Sequence, residues 1–211
     1  MVGDDKRDIA LRTIERNAQT QKRLVEDLLD MAGLLAGKVR LERQTVAVAD
    51  VLRNALEGVA LAASSRGVRL ETRFDPALGT MDADPERLQQ IVWNLLSNAV
   101  KFTESGGAIV LQADREGDEI VITVRDTGIG IEPELLPRMF DRFTQARTAR
   151  RQSGGLGLGL AIVRSLVELH GGTVTGHSDG PGGGAMFVVR LPAAAPAALE
   201  GAGATADAAP S

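Results

Sequence analysis

Cysteine is absent from the 211 residues. Its absence excludes disulfides and thiolate metal sites and fits a reducing compartment. Long apolar runs are also missing. None approaches the roughly 20 residues of a membrane-spanning helix, and the start, MVGDDKRDIALRT, lacks the apolar stretch of a secretion signal. Nor is there a basic excess: 24 Lys and Arg face 28 Asp and Glu, for a net charge of -4. Nucleic-acid binders carry a positive footprint that this chain lacks, so nucleic acid is not an expected partner. The expectation is a cytoplasmic chain with no membrane segment of its own. Two nucleotide signatures fail as well. No G-x-x-x-x-G-K-[ST] occurs, and Leu160 or Ile162 falls where G-x-G-x-x-G needs its third glycine.

What is present divides into three parts. In residues 1–43, Leu11, Ala18, Val25 and Ala32 fall on one heptad seam, and Ile14, Gln21, Leu28 and Leu35 on the other. Leu24 and Met31 widen that stripe, which suits a helical bundle. A lone helix cannot bury such a stripe, so either a dimeric bundle or the rest of the chain must cover it. Gly33 interrupts the helix, at about 1 kcal/mol relative to Ala.

Residues 44–192 alternate helix and strand signals. ADVLRNALEGVALAASSRG has helical spacing up to Gly67, and VRLETRF then alternates as a half-exposed strand. Asp84 and Pro85 are an N-cap and first-turn proline for the next helix. AIVLQADREGDEIVITVRD and TVTGHSDGPGGGAMFVVRLP each read as two strands around a turn, with LGLAIVRSLVELHGG a helix between them. The expected class is α+β: a two-layer sandwich with helices on one face of a mixed, mainly antiparallel sheet, preceded by a long bundle-forming helix. Residues 193–211, rich in Ala, Gly and Pro, read as a disordered tail or linker.

Three constellations carry chemistry. NLLSNAVKFT, residues 94–103, sets Asn94, Asn98 and Lys101 within an arc of about 60° on a helix, bordering an apolar arc. Buried amides and ammonium groups need polar partners. An amide oxygen suits Mg²⁺ and an ammonium suits phosphate, although a helix-edge amide pair capping a loop is the plainer reading. RDTGIGIEP follows a strand. There Asp126 can accept from an exocyclic amine while Gly128 and Gly130 let backbone pass under a flat ring, or the run is an ordinary Asx turn. GGLGLGLAIV places glycines before a helix, where backbone amides form an anion site.

In this order and spacing the three resemble the N, G1 and G2 boxes of sensor histidine kinases, with RMFDRFTQA standing at the family's F box. The resemblance covers about residues 10–192. It implies a Bergerat-type fold holding ATP and Mg²⁺ under a lid at about 143–156. Asn98 would then coordinate Mg²⁺, while Asn94 and Lys101 lie against the phosphates. Phe102 would border the adenine and Asp126 read its amino group. Gly128 and Gly130 would shape the base pocket, and Gly155, Leu156, Gly157, Leu158 and Gly159 would line the phosphates and lid hinge. Phe140 and Phe143 would anchor the lid, although in sequence alone they read more readily as core.

By the same resemblance, residues 1–43 are the second helix of a dimerisation and phosphotransfer hairpin. The first helix and its acceptor histidine are not in the sequence, and His170 and His177 are expected to be structural. The implied partners are a phosphoacceptor histidine segment, a response regulator receiver domain and a second copy of the chain. Two other functions stay open: an ATP hydrolase of the gyrase-like relatives, and a nucleotide-binding module without turnover. Hydrolases of this superfamily place Glu where Asn94 stands, and an amide cannot take a proton from water near neutral pH. The basic lid QARTARRQSGG also departs from the family in lacking an acidic residue soon after TQA.

Overall fold

A computed structural model describes residues 11, 18, 21–22, 24–26, 28–144 and 156–193. Helical residues 28–35 (α1) end in a turn where Gly37 has φ 62°. The chain continues through β1 (Gln44–Ala47), α2 (Val48–Ser65), β2 (Arg69–Phe74), β3 (Thr80–Ala83) and α3 (Pro85–Phe102). It then runs through β4 (Ala108–Glu116), β5 (Glu119–Asp126), a 3-10 turn (Leu136–Arg138), α4 (Gly159–Leu169), β6 (Thr173–His177) and β7 (Ala185–Pro192). Among the described residues, no helix is long and apolar enough to cross a membrane.

The main sheet has the order β2-β4-β5-β7-β6, with β2 and β4 parallel and every other pair antiparallel. Alternation in sequence becomes a two-faced sheet. Ile109, Leu111, Ile120, Ile122, Val189 and Leu191 are fully buried and cluster with Leu88, Ile91 and Leu95 of α3 and Ile162 of α4. Each such aliphatic side chain contributes about 1.5–3 kcal/mol. This is the expected α+β sandwich. The small antiparallel β1-β3 sheet is an addition, because four-residue strands leave too little alternation to read.

Local chemistry starts α3 where the sequence placed it. Asp84 Oδ1 accepts from the Arg87 N–H at 3.1 Å, with Pro85 in the first turn. Loss of such a cap costs about 1 kcal/mol.

The N-terminal stripe divides differently from expectation. Met31 is buried in the domain core and Leu34 packs against it, whereas Val25, Leu28 and Leu35 remain exposed. Asp30 fixes this docking by accepting from Arg87 Nη1 at 2.9 Å and Gln90 Nε2 at 2.5 Å. Met31 therefore serves the packing of α1 on the domain rather than widening a bundle face. Residues 194–211, most of the expected tail, lie outside the described residues.

Candidate functional site

The site lies where α3, the loop after β5 and the start of α4 converge. Asn94 is 5% exposed, held in place by the buried Leu95, Leu96 and Ile91 around it. A Cβ placed on Gly159 would stand 3.4 Å from Asn94 Oδ1, so the first residue of α4 lies directly against this amide. Asn98 and Lys101, one and two turns further along α3, are half-buried. Lys101 Nζ lies 4.9 Å from the centre of the Phe102 ring, and as the basic residue of the last turn it complements the helix dipole.

Asp126 ends β5 and is 6% exposed. Burial pushes its carboxyl above the usual carboxylate range, against hydrogen bonds from the backbone N–H groups of Gly128 and Ala185. The Gly128 bond is 2.8 Å. A desolvated carboxylate with fixed N–H donors costs stability and is retained where a ligand uses it.

Gly128 and Gly130 meet a structural demand before any ligand arrives. A Cβ on Gly128 would run into the Phe102 carbonyl, which accepts the Ile129 N–H at 3.1 Å. Gly130 has φ 73°, and its Cβ would collide with the Gly180 carbonyl. The loop is thus stitched to the end of α3 on one side and to the β6-β7 connection on the other. Ser178, which the sequence did not single out, completes that second seam. Its hydroxyl accepts from the Ile131 N–H at 2.9 Å and donates to the Gly184 carbonyl at 2.6 Å. An isolated Ser in a Gly-rich turn carries no spacing signal that would have identified it.

The segment with the expected lid begins and ends close together, because the Phe143 N–H donates to the Gly157 carbonyl at 3.0 Å. Gly155 and residues 145–154 lie outside the described residues. Leu156 is half-buried against the core; Gly157 has φ 71°; Leu158 is buried and precedes the first turn of α4. Leu158, the N-cap residue of α4, makes no side-chain cap hydrogen bond. Backbone amides at a helix N-terminus suit an anion. Phe140 packs edge-on against Phe187 at 6.4 Å, as a core residue does. Phe143 does not: it is 60% exposed with φ 60°.

His170, the C-cap residue of α4, is buried, and desolvation by that burial lowers its pKa. Its Nδ1 hydrogen-bonds the Leu166 carbonyl at 2.8 Å, and Nε2 accepts the Asp84 N–H at 3.3 Å. His177 is exposed at the end of β6.

A family profile described as histidine kinase-, DNA gyrase B-, and HSP90-like ATPase matches residues 83–195. Hybrid signal transduction histidine kinase D of Dictyostelium discoideum is 35% identical over 86% of this chain, which spans 14% of that protein's length. The crystal structure of full-length ShkA in complex with AMPPNP superposes with a TM-score of 0.77 at 35% identity, over 90% of this chain and 39% of that one. Histidine kinase ThkA, solved in complex with response regulator protein TrrA, shares the fold at 19% identity and a TM-score of 0.68, over 87% of this chain and 50% of that one. The chain belongs to the histidine kinase-, DNA gyrase B- and HSP90-like ATPase family, as a catalytic ATP-binding domain of the sensor histidine kinase kind.

Proposed function

We propose that this chain binds Mg²⁺-ATP and passes the γ-phosphoryl group to a histidine on a separate or partner segment, for relay to a response regulator receiver domain. The observation that supports this reading is the meeting of Asn94 with the start of α4, whose N-cap Leu158 offers no side-chain cap. Asp126 accepts from the adenine amino group, Phe102 borders the base, and Lys101 offsets phosphate charge. The chain's part is to hold the phosphates while the acceptor imidazole attacks in line. Amide Asn94 activates no water, which favours transfer over hydrolysis.

No group of three or more His, Cys, Asp or Glu that would hold a metal occurs among the described residues. The half-buried amide of Asn98 suits Mg²⁺, which takes one or two protein oxygens and completes its shell with phosphate and water oxygens. When bound, the ion neutralises phosphate charge.

Residues 1–43 are read as the second helix of a dimerisation hairpin and 44–192 as the catalytic domain, acting in the cytoplasm. Titration with an ATP analogue, with and without Mg²⁺, tests the site. Binding is expected to require Mg²⁺ and to weaken in Asn98→Asp, where an added negative charge faces the phosphates while melting shifts little. Unchanged Mg²⁺-dependent binding in that variant removes Asn98 from the metal.

A further inference from the structure

Helices α3 and α4 touch at two defined places. One is the meeting of Asn94 with Gly159; the other joins the opposite ends, where the Asp84 N–H donates to His170 Nε2 at 3.3 Å. Along α3 the two contacts are ten residues apart, and along α4 eleven. At 1.5 Å per residue these are spans of about 15 and 16 Å. The helices run in opposite senses between the two contacts, so the matched spans make them rungs of one ladder. A slip at either rung displaces the other.

The His170 rung is built to resist slipping. The ring is 2% exposed. With Nδ1–H donating to the Leu166 carbonyl, its tautomer is fixed and Nε2 is left as an acceptor. Asp84 is held from its other side, since its carboxylate accepts from the Glu42 N–H at 3.0 Å and the Arg87 N–H at 3.1 Å. Arg43 closes the corner by donating to the Leu169 carbonyl at 3.1 Å.

We propose that His170 is a positioning residue for the nucleotide site: it sets the axial register of α4 against α3 and so places the amides of the α4 N-terminus beside Asn94. The inference rests on the nucleotide reading of that site. It adds that a side chain far from the bound phosphates determines how well they are held. The same corner fastens residues 42 and 43, so a pull on the segment before β1 reaches the phosphate-binding turn through this rung.

The test compares ATP-analogue affinity in the wild-type chain, His170→Leu and His170→Gln, each at a temperature where it is folded. His170→Leu removes the acceptor, and affinity is expected to fall about three- to tenfold, the range for one hydrogen bond. His170→Gln restores an acceptor near the Nε2 position and is expected to recover most of the loss. A purely structural histidine would lower the melting temperature of both variants and leave affinity alone.

A second readout needs no folded leucine variant. An imidazolium cannot accept from Asp84, and burial moves protonation of this ring below the ordinary imidazole range, so wild-type affinity is expected to weaken in that more acidic range, relative to His170→Gln at the same pH. The charged groups facing the ring are Arg43 from the linker, Asp82 from β3 and Asp84 from the α3 cap. All three are common to both proteins, as is Asp126, so the comparison isolates the ring. Equal affinities in all three proteins, or parallel pH profiles for wild type and His170→Gln, overturn the positioning role. A wild-type chain that binds no ATP analogue overturns the nucleotide site itself.

Discussion

Gly159 stands where a side chain would press on Asn94: its Cβ would lie 3.4 Å from Oδ1 and 3.9 Å from Cγ of the amide. Helix physics favours alanine there, because glycine in a helix costs about 0.5–1 kcal/mol. Retaining glycine keeps the space between the amide and the α4 amides open. Gly159→Ala is accordingly expected to raise stability by a few tenths to about 1 kcal/mol in denaturant melts. It is also expected to weaken ATP-analogue binding several-fold. Improved stability with unchanged binding would show that the space is not used by ligand.

Asp126 makes a related trade, with a pH signature. Its folded pKa is raised above 3.8 by burial. The folded state therefore holds its proton more tightly than the unfolded chain, and ionising the group in the fold costs stability as pH rises past about 4. Below that range the cost is absent; above the folded pKa it is fully present. Asp126→Asn keeps an oxygen for the Gly128 N–H and lacks the charge. It is expected to gain stability over wild type at pH 7.5 relative to pH 4, while losing ATP affinity by at least about tenfold. Urea melts at the two pH values and one binding titration check both halves.

The β5 loop makes the steric prediction. Gly130→Ala combines φ 73° with a collision at the Gly180 carbonyl, so it is expected to cost at least about 2 kcal/mol. Gly180, also at positive φ but with nothing near its missing Cβ, is expected to accept alanine more cheaply. Comparable melting temperatures for the two variants would contradict the seam between these loops.

Docking of α1 on α3 is expected to appear as coupling. Asp30 and Arg87 form an ion pair at 2.9 Å with side chains 23% and 31% exposed. A double-mutant cycle with Asp30→Ala and Arg87→Ala is expected to give about 0.5–1.5 kcal/mol of interaction energy. Additive losses would mean that the Asp30–Arg87 pair does not hold α1, leaving the Gln90 bond and the packing of Met31 and Leu34.

Much of this was legible in the sequence because the physics was local. The Asp84 cap and the period-2 strands around Gly117 each lie within a few residues, and both are present in the fold. Long-range contacts were not legible. Met31 reads as bundle stripe until α3 is seen beneath it, and Gly130 reads as a ring platform until Gly180 is found against it. His170 is the sharpest instance, since the Asp84 N–H that its Nε2 accepts lies 86 residues away in sequence. Phe143 differs in the opposite direction: an aromatic that reads as core is 60% exposed, with its backbone N–H bonded to the Gly157 carbonyl.

Labelling with γ-phosphate-labelled ATP most directly separates phosphotransfer from hydrolysis and from simple binding. Incubated by itself, the chain is expected to bind the nucleotide, acquire no stable label and release phosphate slowly. Addition of a hairpin carrying an acceptor histidine, fused or separate, is expected to give label on that hairpin that survives alkali and is lost in acid, and Asp126→Asn is expected to abolish it. Rapid phosphate release without the hairpin would place the chain among the hydrolases. Base-stable label on His170 or His177 would contradict their structural roles, and failure to label any histidine hairpin despite tight ATP binding would leave a nucleotide-binding module rather than a kinase.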